Sequence, residues 1–287
     1  MIEIKKITTS RLEAAYRDSG GDKPALVLLH GWPESSYSWL SLIKKMPAEY
    51  RFICPDLRGL GDSERNTELR KYKKVELGLD VLSLLDELKI GKFYLAGHDW
   101  GGAVAQEIAL SAPERVMKLA IMNIHLVLDT VSSARAKKEQ DSGLVSRTWY
   151  QSMMQTPGFI EEILPGNEEP FIRFFMQNSG SVVPISEEAI KEYSRCYAIP
   201  GTALSGANYY RALLFDIKRW SKMRGEKLTM PSKIIYGNKD PVIIKTFYDN
   251  YESCFTSVEF EEIEAGHFLQ EEKPAEVAEV LSRFLNK

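Results

Sequence analysis

The sequence predicts an α/β protein: a mostly parallel, twisted sheet flanked by helices and interrupted by a helical insertion. Three observations predict it. Short apolar runs alternate with amphipathic stretches through the first half of the chain. From Leu126 to about Lys222 strand-like alternation disappears, and aromatic, Met and charged residues take over. The alternating pattern then resumes and closes on an amphipathic helix.

The elements follow in order. Strands are expected at Arg11–Arg17, Ala25–His30 (ALVLLH), Arg51–Pro55 (RFICP), Phe93–Ala96 (FYLA) and Lys118–Met122 (KLAIM). Between the third and fourth of these, Leu77, Val81, Leu84, Leu85 and Leu88 recur at the spacing of one helix face. SRTWYQSMM, FIRFFMQ, EEAIKEYSRCY and NYYRALLF give the insertion its helical character. SKIIYG (232–237) and SVEFEEIE (257–264) restore strands. A last helix begins near Pro274, a first-turn residue, and buries Val277, Val280, Leu281, Phe284 and Leu285.

Composition bounds the possibilities. A chain of 287 residues buries a sizeable core, as one large domain with an insertion or as two compact units. Apolar residues make up 44% and charged residues 27%, ordinary for a globular protein. A net charge of −3 without a basic block argues against a nucleic-acid partner. MIEIKKITTS lacks the apolar core of a signal peptide, and no run approaches the ~18 apolar residues that would span a bilayer. Cys54, Cys196 and Cys254 are odd in number and far apart, which fits free thiols. A soluble cytoplasmic protein, not bound to membrane, is the expectation; a homodimer is left open.

The chemistry concentrates around LAGHDWGGA (95–103). Asp99 stands at the tip of a strand-to-helix turn with Gly97, Gly101 and Gly102 around it, the spacing of a nucleophile elbow. In an open parallel sheet such a strand end faces the ligand. A helix-capping Asp is the plainer alternative, but a cap needs no glycine on both sides. Asp240 follows SKIIYG and His267 follows SVEFEEIE, giving the order nucleophile, acid, base. Of the four histidines, only His267 has both a strand-end position and an upstream acid; Asp240 also suits a turn before Pro241. HGWPES (30–35) follows ALVLLH and is placed to offer the Trp32 N–H to a developing oxyanion, with Trp100 offering a second. DLRGLGDS (56–63) reads as a structural glycine-rich loop.

HGWPES, DLRGLGDS, GHDWGG, GNKDP and AGHF together resemble the α/β-hydrolase fold, and within it the epoxide hydrolases. The likeness covers nearly the whole chain. It implies a helical cap inserted after the sixth strand, with residues 1–126 and 223–287 as the core and 127–222 as the cap. GHDWG is shared with haloalkane dehalogenases, so the cap must discriminate. In epoxide hydrolases two cap tyrosines face the nucleophile, one five residues before Gln-x-Pro-Gly and one in Asn-x-Tyr-Arg. Tyr150 precedes Gln155-Thr156-Pro157-Gly158 by that interval, and Tyr210 lies between Asn208 and Arg211. Tyr193, Tyr197 and Tyr209 are decoys on this assignment.

The resemblance implies hydrolysis in two steps. Asp99 opens an apolar epoxide while Tyr150 and Tyr210 bind its oxygen, and water activated by His267 and Asp240 splits the resulting ester. A phenol with a pKa of about 10 stays protonated at neutral pH and serves an alkoxide leaving group. His30, Pro33 and Trp149 are expected to line the substrate pocket. No cofactor or metal is implied. A haloalkane dehalogenase using Asp99, and a non-catalytic ligand-binding member of the fold, are the alternatives.

Overall fold

The computed structural model describes residues 2–287. Eight strands form one sheet: β1 (Ile4–Thr8), β2 (Glu13–Asp18), β3 (Ala25–Leu29), β4 (Arg51–Pro55), β5 (Phe93–His98), β6 (Val116–Met122), β7 (Ser232–Gly237) and β8 (Val258–Ile263). Their spatial order is β1-β2-β4-β3-β5-β6-β7-β8. β1 pairs antiparallel with β2, and β2 antiparallel with β4; every other neighbour is parallel.

β3 explains why the sheet is covered on both faces. All five of its residues are buried. Val27 and Leu29 join one apolar cluster, while Leu26 and Leu28 join another. Such an uninterrupted apolar strand needs helices above and below. The short α1 (Leu40–Ile43) and the C-terminal α12 (Pro274–Leu285) cover one face; α2 (Lys74–Glu87) and α3 (Trp100–Ser111) cover the other. Gly101 permits the tight crossing of α3 over β3. A Cβ there would sit 2.3 Å from the carbonyl oxygens of both Leu29 and His30.

Between β6 and β7 the chain carries α4 (Thr130–Gln140), α5 (Trp149–Gln155), α6 (Phe159–Ile163), α7 (Glu168–Gln177), α8 (Glu187–Tyr197), α9 (Thr202–Arg211) and α10 (Leu213–Trp220). Met154, Ile160, Ile172 and Tyr193 from this stretch share one core with β3 and α3, so it packs onto the sheet rather than standing apart. The short α11 (Leu269–Glu272) precedes α12. No helix among the described residues is long and apolar enough to cross a membrane.

The expected strands are present, Arg51–Pro55 and Ser232–Gly237 with the expected ends and the others with one or both ends shifted by one or two residues. β1 was not anticipated. Its residues are exposed or half-buried, so IKKIT carries no clean alternation, and only pairing with β2 defines it.

Candidate active site

The turn after β5 sets the geometry. Asp99 has φ 48° and ψ −129°, a left-handed conformation that a side chain adopts only when its surroundings enforce it. Its N–H donates to Met122 O at 3.1 Å, and its carbonyl accepts from Gly102 N and Ala103 N. Its carboxylate makes no capping hydrogen bond to α3. The side chain is thus free of the helix and points at other partners.

Those partners come from two loops, after β3 and after β8, and a third loop, after β7, braces one of them. The Trp32 N–H donates to Asp99 Oδ1 at 2.9 Å. Trp100 is the first residue of α3, so its N–H has no acceptor within its own helix. His267 Nε2 lies 3.6 Å from Asp99 Oδ2. On the other side of the ring, His267 Nδ1 donates to Asp240 Oδ2 at 2.7 Å, which fixes the imidazole orientation. Asp240 in turn accepts from the N–H groups of Val242 and Ile243 through Oδ1 and from Asn123 Nδ2 through Oδ2.

Asn123 escaped the sequence reading. It follows β6 with φ 40° and also accepts from Gly237 N through Oδ1, so one amide ties three strand ends together. Its only sequence signal is an Asn at a strand end. Behind the His267 loop, Glu34 accepts from Gly31 N and Gln270 Nε2 and faces His98 Nδ1 at 2.9 Å. His98 Nε2 donates to the carbonyl of His267 at 2.8 Å. This buried network supports the base from its main-chain side.

Electrostatics divide the roles of these groups. Burial pushes the Asp99 carboxyl up, but His267, His98 and the Trp32 N–H outweigh it and hold it below the usual carboxylate range. Burial alone would lower the His267 imidazolium; Asp240 and Asp99 together raise it well above an ordinary histidine. Tyr150 and Tyr210 are pushed up, chiefly by burial and further by the Asp99 charge. Both phenols therefore stay protonated and can donate.

Asp99, His267, Tyr150, Tyr210, Trp32 and Trp149 border one cavity of about 330 Å³, within the usual size of a small-molecule site. The rings of Tyr150 and Tyr210 stand edge to face at 5.9 Å. Trp32 orders both: it stacks on Tyr150 at 6.0 Å and meets Tyr210 edge-on at 5.4 Å. Trp149 is partly exposed at the rim. Phe175 adds apolar wall, and Val242 and Phe268 add more that the sequence did not single out.

Two expected pocket residues are elsewhere. His30 is fully buried, its Nδ1 donating to Gly31 O and its Nε2 accepting from Leu57 N, so it braces two loops. Pro33 is buried outside the cavity, because the Trp32 ring occupies the wall beside it. The decoy tyrosines are accounted for by packing. Tyr209 OH donates to Arg58 O at 2.9 Å, Tyr193 OH pairs with Glu271, and Tyr197 is buried against Phe171.

A parallel sheet with an acidic elbow after β5, an acid after β7 and a histidine after β8 defines a hydrolase scaffold. The chain belongs to the α/β hydrolase fold family, whose model matches residues 24–274. It is 30% identical to the AB hydrolase superfamily protein YfhM of Bacillus subtilis, over 96% of this chain and 94% of that one. It is 28% identical to the human protein named epoxide hydrolase 4, over 98% of this chain and 78% of the relative. Among solved structures it resembles epoxide hydrolase VrEH1 from Vigna radiata, with a TM-score of 0.83 and 25% identity, covering 99% of this chain and 98% of that one.

Proposed function

We propose that this protein is an epoxide hydrolase that converts an apolar epoxide to a vicinal diol through an ester on Asp99. The observation that carries the proposal is the pair of phenols, Tyr210 buried and Tyr150 partly buried, facing the same cavity as the Asp99 carboxylate and a histidine–aspartate couple. The names of relatives such as epoxide hydrolase 4 support the same substrate class. Residues 127–222 act in this proposal as the cap that carries Tyr150 and Tyr210, with residues 1–126 and 223–287 as the core.

Asp99 Oδ2 attacks a ring carbon, and the carbon–oxygen bond of the epoxide breaks. Tyr150 and Tyr210 donate to the departing oxygen, which would otherwise leave as an unsupported alkoxide. Esterification removes the Asp99 charge, one of the two that raise His267, so the imidazole shifts toward its free-base form. His267 then takes a proton from water, and the hydroxide adds to Asp99 Cγ. The N–H groups of Trp32 and Trp100 hold the oxyanion on Oδ1. As the intermediate collapses, the proton of the added hydroxyl passes to the departing diol oxygen and the Asp99 carboxylate is restored. The proton on His267 passes to the phenolate left by ring opening, and His267 regains a proton from solvent as the Asp99 charge returns. The carboxylate suits this route because its product is an ester; a serine would give an ether, which water and histidine do not cleave.

Repeated turnover in heavy-oxygen water with an aryl epoxide tests the proposal. Solvent isotope is expected in the peptide containing Asp99, and His267→Ala is expected to accumulate the protein–substrate ester. Turnover without isotope in Asp99 would refute it.

A further inference from the structure

A second cavity, of about 360 Å³, lies beside the catalytic one and nearly matches it in size. Trp100 packs between them: its ring meets Tyr210 of the catalytic cavity at 5.4 Å and His125 of the second at 6.3 Å. The second cavity is walled by Leu126, Leu213, Ile217, Trp220 and Phe247, so most of its surface is hydrocarbon. Asp129, Lys137, Gln140 and Gln151 are among the polar residues on its border, as is His125. The His125 carbonyl accepts from Gln106, yet neither ring nitrogen has a hydrogen-bond partner among the described residues.

The charge state of that ring is set by its position. Burial, and then the nearby Lys74 cation, push His125 down to about 4, so it is neutral at physiological pH. A neutral imidazole presents one donor and one acceptor. A ligand that supplies both functions satisfies both nitrogens while its apolar part covers the surrounding hydrocarbon. A hydroxyl group does so. Hydrocarbon makes up most of the surrounding surface, which favours an uncharged ligand with an apolar body.

We propose that this cavity is a second binding site, for a small apolar alcohol whose hydroxyl pairs with His125 while its hydrocarbon fills the space between α4, α10 and the loop carrying Phe247. No carboxylate or hydroxyl is bonded to the His125 ring, so the site binds rather than reacts. Occupancy is felt at the catalytic cavity by contact: Val242 borders both spaces, and Gln151 of the second adjoins Tyr150 of the first. The inference does not depend on ester chemistry at Asp99.

Diffraction from crystals soaked in 4-bromobenzyl alcohol tests it directly. A bromine anomalous peak is expected in the second cavity, with the hydroxyl oxygen at hydrogen-bond distance from His125. In solution, titration with benzyl alcohol should shift the ring nitrogen resonances of His125. His125→Phe is expected to weaken binding read by the soak and by calorimetry about tenfold, the loss of one good hydrogen bond. Ala134 is exposed on α4 and borders the opening, so Ala134→Trp leaves the core intact and should abolish the shift at His125. Bromine only beside Asp99, no peak in either space, or undiminished binding by both variants would overturn the proposal.

Discussion

At the scale of single residues, the arrangement around Asp99 makes two predictions. Tyr150 and Tyr210 share one leaving oxygen, so each can cover partly for the other. Tyr150→Phe or Tyr210→Phe should lower kcat about tenfold, and the double variant about 10²–10³-fold, within the range for general acid catalysis. Pre-steady-state measurement of ester formation checks this, since hydrolysis of the ester should be spared. The second concerns His267, raised by two carboxylates. Asp99→Asn removes one of them, so the imidazole should titrate at lower pH than in the wild type, as followed by its ring proton resonances. An unchanged midpoint would mean that Asp240 alone sets it. The grouping of Asp99, Asp240, His267 and the two tyrosines in space was legible because each sits in a short motif at a strand end or beside a turn. Asn123 and Glu34 were not, because their value lies in partners 114 and 64 residues away along the chain, Gly237 and His98.

At the scale of elements, α2 and the α9–α10 pair are joined by a buried cation. Lys74 Nζ is fully buried, 3.3 Å from Asp216 Oδ2, donates to Tyr209 O at 2.5 Å and lies 4.0 Å above the Trp100 ring. Burial lowers the Lys74 pKa and raises that of Asp216, and their attraction opposes both. Removing one partner strands the other. Lys74→Met should cost about 3–5 kcal/mol, whereas Lys74→Met combined with Asp216→Leu should recover most of it. Urea denaturation of the two variants separates the cases. The sequence hid this pair: a Lys at the start of an amphipathic helix reads as solvated, and only the helices laid over α2 bury it. β3, β5 and β7 were legible for the opposite reason, since each is apolar enough to need cover on both faces.

At the scale of the whole molecule, the helices between β6 and β7 are tied to the core by groups that titrate. Glu271, on α11, accepts from Tyr193 of α8, and burial followed by the Glu34 charge pushes it up to about 8. A carboxyl raised on folding holds its proton longer in the native state, so stability falls as pH rises from about 4.5 toward 8. Glu271→Gln should match the wild type below that window and exceed it increasingly through it, with the gap level above about pH 8; thermal melts across pH measure this. The helical stretch itself was legible from its lost alternation, whereas its anchors were not. One of those anchors has a consequence for substrate entry. His267 N–H donates to Ser179 O at 2.9 Å, so the main chain of the base is fastened to the covering segment. Swinging that segment aside as a hinged door would drag the imidazole from Asp240 and disarm the enzyme at each opening. Passage is better served by side chains turning at the threshold, where Val145, Trp149 and Phe174 stand partly in solvent while the backbone beneath them keeps still.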